Sequence, residues 1–88
     1  MIPNPYAPFQ SRDGQWHVWR QGVGWCPAKR GKDIQPGDQL IMNYGYHEIV
    51  VSIDRVSEKT VTVTLRDHMG HLWNGCRIAK ECWKAVAA

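Results

Sequence analysis

Thr60-Val61-Thr62-Val63-Thr64-Leu65-Arg66-Asp67 decides the fold of this chain. Val61, Val63 and Leu65 alternate with Thr60, Thr62, Thr64 and Arg66, the period of a strand with one buried face. β-Branched residues fill most of its positions, which suits a pleated, half-buried surface. Upstream, Ser57-Glu58-Lys59 reads as a polar turn, and His47 to Val56 as a longer partner strand. Alternation there predicts Ile49, Val51 and Ile53 inward, with Glu48, Ser52 and Asp54 outward.

Further upstream, Gln35-Pro36-Gly37-Asp38 carries the signature of a type II turn: proline presets φ, and glycine supplies the positive φ that follows. Asp38 to Asn43 then reads as a strand, with Leu40 and Met42 on one face and Ile41 on the other. Asn43-Tyr44-Gly45-Tyr46 makes the next reversal, with Gly45 in the left-handed position. The hairpin from Asp38 to about Asp67 is therefore the scaffold, and its expected core is Leu40, Met42, Ile49, Val51, Ile53, Val61, Val63 and Leu65. Downstream, His68-Met69-Gly70-His71 is a turn, and Leu72 to Ile78 a further strand in which Gly75 marks a bulge or a close backbone approach. The end, Ala79 to Val86, reads as a short C-terminal helix or an edge strand.

At the other end, residues 1–14 hold Pro3, Pro5 and Pro8 and close on Asp13-Gly14, so they form an extended N-terminal arm leading into a turn. Gln15 to Arg20 is the first strand, with Trp16 and Val18 on one face and His17 and Trp19 on the other. Gln21-Gly22-Val23-Gly24 is a turn and Trp25-Cys26 a short continuation. Pro27-Ala28-Lys29-Arg30-Gly31-Lys32 reads as a basic connector. Both faces of the first strand carry rings, so one of them needs a cover, which Tyr6 and Phe9 of the arm are placed to supply.

Short strands at roughly 8–12-residue spacing with glycine turns between them indicate an all-β small barrel rather than βαβ units. From Gln35 to Leu65 the order is Pro-Gly-Asp, apolar strand, glycine turn, alternating strand, polar turn, alternating strand. That order resembles the core of SH3-like small barrels, including KOW-type domains. The resemblance covers about a third of the chain. It implies a five-stranded SH3-like barrel over residues 15–88, preceded by the arm of residues 1–14.

An 88-residue chain has room for one domain. Its hydrophobic fraction of 43% and charged fraction of 22% exclude wholesale disorder. No apolar run approaches the ~18 residues of a membrane span, and the first residues lack the basic and apolar regions of a signal peptide. A cytoplasmic location is the expectation. Cys26, Cys76 and Cys82 are an odd number, which fits reduced thiols. The net charge of +3 suits an anionic partner without demanding one.

Five tryptophans in so short a chain are more than a small core needs. Trp19, Arg20, Trp25, Lys29, Arg30, Lys32, Tyr44 and Tyr46 interleave rings with cations. Single-stranded nucleic acid is bound by such surfaces, bases stacking on rings while cations follow phosphates. The first expectation is thus a non-enzymatic nucleic-acid-binding module. The alternative is a protein-interaction or inhibitory module of the phage or mobile-element style, since Trp, Tyr and Arg also dominate protein hot spots. An exposed β-edge would further allow a homodimer.

His68, His71 and Cys76 are of zinc-ligand type, with Cys82 as a distant fourth. The chain has no Cys-x-x-Cys knuckle, however, so turn histidines and a small core cysteine are the expected reading. Cys26 with His17 lacks the open, electropositive setting of a thiol nucleophile. No phosphate-cradling glycine loop, Gly-x-Ser-x-Gly elbow or cofactor motif is present. Neither an enzyme nor a cofactor is expected.

Overall fold

The computed structural model describes residues 6–87. Eight strands run through it: β1 (Phe9–Gln10), β2 (Trp16–Arg20), β3 (Gly24–Arg30), β4 (Gln39–Ile41), β5 (His47–Val56), β6 (Thr60–Arg66), β7 (Leu72–Ala79) and β8 (Trp83–Ala85). All neighbours pair antiparallel, in two four-stranded sheets ordered β1-β2-β3-β8 and β4-β5-β6-β7. The all-β class is as expected. A five-stranded closed barrel is not what forms: there are eight strands, and neither sheet closes on itself.

The physical reason lies in β3. Pro27 was expected to open a connector, yet β3 continues through it to Arg30. Proline is tolerated because the strand changes partner there: Gly24 to Pro27 pair with β2, and Ala28 to Arg30 pair with β8. That hand-over builds a second sheet from residues expected to be loop. The chain then turns through a short 3-10 segment, Gly31–Asp33. The C-terminal segment, expected as a helix or an edge strand, is strand β8.

Two apolar clusters result. The larger holds Ile34, Leu40, Val50, Val61, Val63, Leu65, Ile78 and Val86, with Met42, Ile53 and Cys76 packed against it. The smaller holds Val18, Cys26, Ala28 and Ala85, with Trp16, Ile41 and Trp83 beside them. Leu40 and Val86 form an isolated antiparallel bridge that ties the sheets together. Adjacent residues on β4 and at the end of β8 alternate between the clusters: Leu40 and Val86, the residue just past β8, enter one, Ile41 and Ala85 the other. These two strands are the shared wall.

The alternation of β6 holds, with Val61, Val63 and Leu65 buried. That of β5 does not. Val50 is the buried residue, while Ile49 and Val51 are exposed. Register shifts between Val50 and Ser52 and between Ile53 and Arg55 break the period of β5. A bulge adds a residue and moves everything beyond it to the other face, so strict alternation assigns the wrong side chains.

The turns follow their chemistry. The Gln35 carbonyl accepts from the Asp38 N–H at 3.1 Å, and Gly37 has φ of 93°. Opposite the β6 register shift, Gly75 lies in the unmatched part of β7, as a bulge requires.

Candidate functional site

The register of the first sheet sorts its rings onto two faces. On β2 and β3, Val18 faces Cys26 and Trp19 faces Trp25. The face with Val18, Cys26 and Ala28 is the inner one. Trp16 lies there, stacked on Trp83 at 4.6 Å, and the Arg30 guanidinium sits 4.3 Å from the Trp83 ring centre. These two tryptophans are packing material.

The outer face carries a connected series of rings. Phe9 stacks on His17 at 5.0 Å and meets Trp25 edge-on at 4.7 Å; Trp25 meets Trp19 at 5.6 Å, and Trp19 meets Tyr6 at 4.8 Å. The arm does cover this face through Tyr6 and Phe9, but incompletely. Trp25 keeps 41% of its surface exposed, Phe9 42% and Tyr6 53%. The arm is positioned by the Ser11–Gly14 turn, where Asp13 accepts from the Ser11 hydroxyl and from the Gln15 N–H. Those bonds hold the Asp13 carboxyl below the ordinary aspartate range.

At one end of the ring series the β2–β3 turn docks on the Asn43–Gly45 turn. The Tyr44 N–H donates to the Gln21 carbonyl at 2.6 Å, and the Gln21 N–H donates to Asn43 Oδ1 at 3.1 Å. Tyr44 holds a left-handed φ of 64°, rare for an aromatic residue. Its ring lies over Gly22, where a Cβ would come within 2.6 Å of it. A shallow groove of about 440 Å³, lined by Tyr6, Trp19, Gln21 and Asn43, opens beside this joint. Among the described residues, every one that lines it is uncharged.

The cations expected to surround these rings are mostly engaged. Lys29 is on the outer face, but its Nζ bridges both Asp38 oxygens at 3.0 and 3.1 Å. Arg30 is on the inner face and pairs with Glu81 at 3.0 Å. Arg20 donates to the Ile41 and Trp19 carbonyls. Lys32 is exposed on the 3-10 segment, with no ion pair among the described residues. Tyr44 and Tyr46 are both exposed, but Tyr46 lies with His68, its ring centre 4.9 Å away. Sequence reasoning missed Lys84, which faces Lys29 across the β3–β8 ladder. Only the hand-over within β3 brings it to this surface.

His68, His71 and Cys76 do not form a cluster; among the described residues no three His, Cys, Asp or Glu side chains converge as metal ligands would. His68 stands against Tyr46, the His71 backbone is tied to Asp67, and Cys76 pairs with Val63 in the ladder. Burial and the Glu48 carboxylate push the Cys76 thiol up, away from the thiolate a metal needs. All three cysteines are unpaired: Cys26 buried, Cys76 half-buried and Cys82 exposed. Among the described residues no helix is long and apolar enough to cross a membrane.

Comparison with known proteins gives no family model, no curated relative and no solved structure that matches this chain.

Proposed function

We propose that this chain is a small non-enzymatic binding module that recognises a partner protein through the outer aromatic face of the β1-β2-β3-β8 sheet. The observation that carries this reading is the exposed Phe9–Trp25–Trp19–Tyr6 ring series, ending in an uncharged groove. Tryptophan and tyrosine anchors with a polar surround are what protein hot spots use. Nucleic-acid affinity depends mainly on phosphate contacts, and Arg20, Lys29 and Arg30 are already engaged within the protein. That balance favours protein over nucleic acid.

A nucleic-acid ligand is the second reading. One feature favours it: Lys29 and Lys84 stand side by side in register, on the face that carries the rings. The scaffold reading also has support. Strands β4 to β7 pair in chain order, and just past β8, which itself pairs with β3, Val86 bridges Leu40 of β4, a succession that resembles a five-stranded SH3-like barrel.

The test is selection of a random-peptide display library on the full chain, alongside mobility shifts with single-stranded DNA and RNA at low salt. Enriched peptides that lose about tenfold or more in affinity on Trp25→Ala support a protein partner. An oligonucleotide shift that depends on Trp25 and fades steeply with salt establishes the second reading instead. Neither enrichment nor shift defeats both.

A further inference from the structure

The β4-β5-β6-β7 sheet also has a face turned away from its core, and register decides what stands on it. Val61 and Val63 enter the larger cluster, so Thr62 between them points the other way. Thr62 is paired with Arg55 on one side and with Arg77 on the other. Directly opposed residues share a face, so a guanidinium, a hydroxyl and a second guanidinium line up across β5, β6 and β7. Strict alternation from Ile53 would turn Arg55 toward the core; the register shift between them re-aims it to solvent. Further along β6, Arg66 stands on the same face, between Ile49 and Leu72. All three arginines are exposed, and among the described residues none makes an ion pair or a side-chain hydrogen bond. Asp54, the acid beside them, is occupied by the Ser52 and Thr64 hydroxyls.

We propose that this face binds the phosphate backbone of a nucleic-acid duplex, with Arg55, Arg66 and Arg77 on phosphates and the Thr62 hydroxyl between two of them. The site is separate from the aromatic face and does not depend on it. Charge complementarity names the partner: guanidiniums without acids of their own match a polyanion, and their planar fork fits phosphate oxygens. Two strand spacings set Arg55 and Arg77 about 10 Å apart at the backbone, and Arg66 lies about 13 Å along the strand. Side chains so spaced on a rigid sheet reach phosphates on both sides of a groove ~12 Å wide. Among the described residues these rows carry no ring; Trp73 stands opposite Leu65, and its indole donates to Asp67. Single strands draw affinity from stacking on rings, so arginines and a hydroxyl alone suit a duplex, whose bases are already stacked. A duplex also presents its charges in fixed positions, whereas an unfolded acidic peptide must first be ordered.

The test titrates a short fluorescein-labelled DNA duplex with the full chain by anisotropy, from about 50 to 200 mM salt. Saturable binding that weakens steeply with salt is expected. Arg55→Gln combined with Arg77→Gln should weaken it about tenfold or more and lower the salt slope by about two, at an unchanged melting temperature. Arg12→Gln combined with Lys32→Gln removes the same charge from exposed positions elsewhere and should keep most of the affinity. Should the first variant melt early, protection of Arg55 and Arg77 from phenylglyoxal by duplex on the wild-type protein replaces it, and unprotected arginines overturn the idea. It is also overturned by absent binding at low salt, by an equal loss in the charge-matched variant, or by tighter binding of the corresponding single strand. Duplex binding lost on Trp25→Ala alone would move the ligand to the aromatic face and likewise defeat it. So would polyglutamate competing as well as unlabelled duplex, since the partner would then be an acidic protein.

Discussion

Leu40 and Val86 meet in an antiparallel bridge that joins the two sheets, with the Ala87 N–H donating to the Gln39 carbonyl at 2.9 Å beside it. Leu40 is 1% exposed and Val86 7%, and both enter the larger cluster. Their chain neighbours Ile41 and Ala85 enter the smaller one. A strain or void at Leu40 is therefore felt on both sides of the wall.

Leu40→Ala is expected to cost about 2–5 kcal/mol, the range for emptying a packed leucine site. The loss will appear as one cooperative transition, with far-UV and tryptophan signals moving together. Two separate transitions would show that the sheets unfold independently.

Gly31→Ala tests how the 3-10 segment seats against β7. A Cβ on Gly31 would lie 2.1 Å from the Ala79 carbonyl oxygen, a backbone atom with no rotamer to escape through. The segment is fixed there by the Gly31 N–H to the Cys82 carbonyl at 2.8 Å and the Lys32 N–H to the Lys80 carbonyl at 3.1 Å. Overpacking of this kind costs about 1–3 kcal/mol or more. A denaturant midpoint equal to wild type would refute the close approach.

Acid sensitivity follows from Asp67 and Asp54. Asp67 accepts from Trp73 Nε1 and from the His71 and Met69 N–H groups, which hold its carboxyl below the ordinary aspartate range. Asp54 is lowered likewise by the Ser52 and Thr64 hydroxyls. A depressed folded-state pKa contributes stability above the unfolded value, and that contribution is lost as pH falls below about 4. Urea unfolding from pH 7 to pH 2.5 should show this decline. Asp67→Asn should flatten it, with a lower stability at pH 7; an unchanged acid limb would exclude Asp67 as a contributor.

How far the sequence carried depended on where periodicity stayed unbroken. β6 was legible because Val61, Val63 and Leu65 keep strict alternation, and the Pro36-Gly37 turn because its backbone demands are local. The inward face of β5 was not, because a bulge is set by what the partner strand offers and leaves no mark in composition. The second sheet was hidden by Pro27, a residue that reads as a strand breaker unless its partner changes there. In the candidate site, the His17–Trp19 face of β2 was legible from alternation and a cover by Tyr6 and Phe9 from the arm that precedes it, but the place of Trp25 opposite Trp19 was not, because it depends on the β2–β3 register. The engagement of Lys29 and Arg30 was not, since Asp38 and Glu81 are distant in sequence or belong to another turn.

The two tryptophan faces should separate in a single pair of variants. Trp16 is half-buried against Trp83 and the smaller cluster, so Trp16→Ala removes packing on which β2 and β8 both rely. It should destabilise the protein by about 2–4 kcal/mol, somewhat under the figure for a fully buried ring. Trp25 belongs to neither cluster and is 41% exposed, so Trp25→Ala should change stability by less than about 1 kcal/mol. Iodide should quench Trp25 and Trp73, the two exposed indoles, and spare Trp16 and Trp83. A rim position that barely supports the fold, yet carries a large ring, has its use in recognition. If Trp25→Ala instead melts the protein as Trp16→Ala does, the outer face is a third packing layer, and the binding role assigned to it falls.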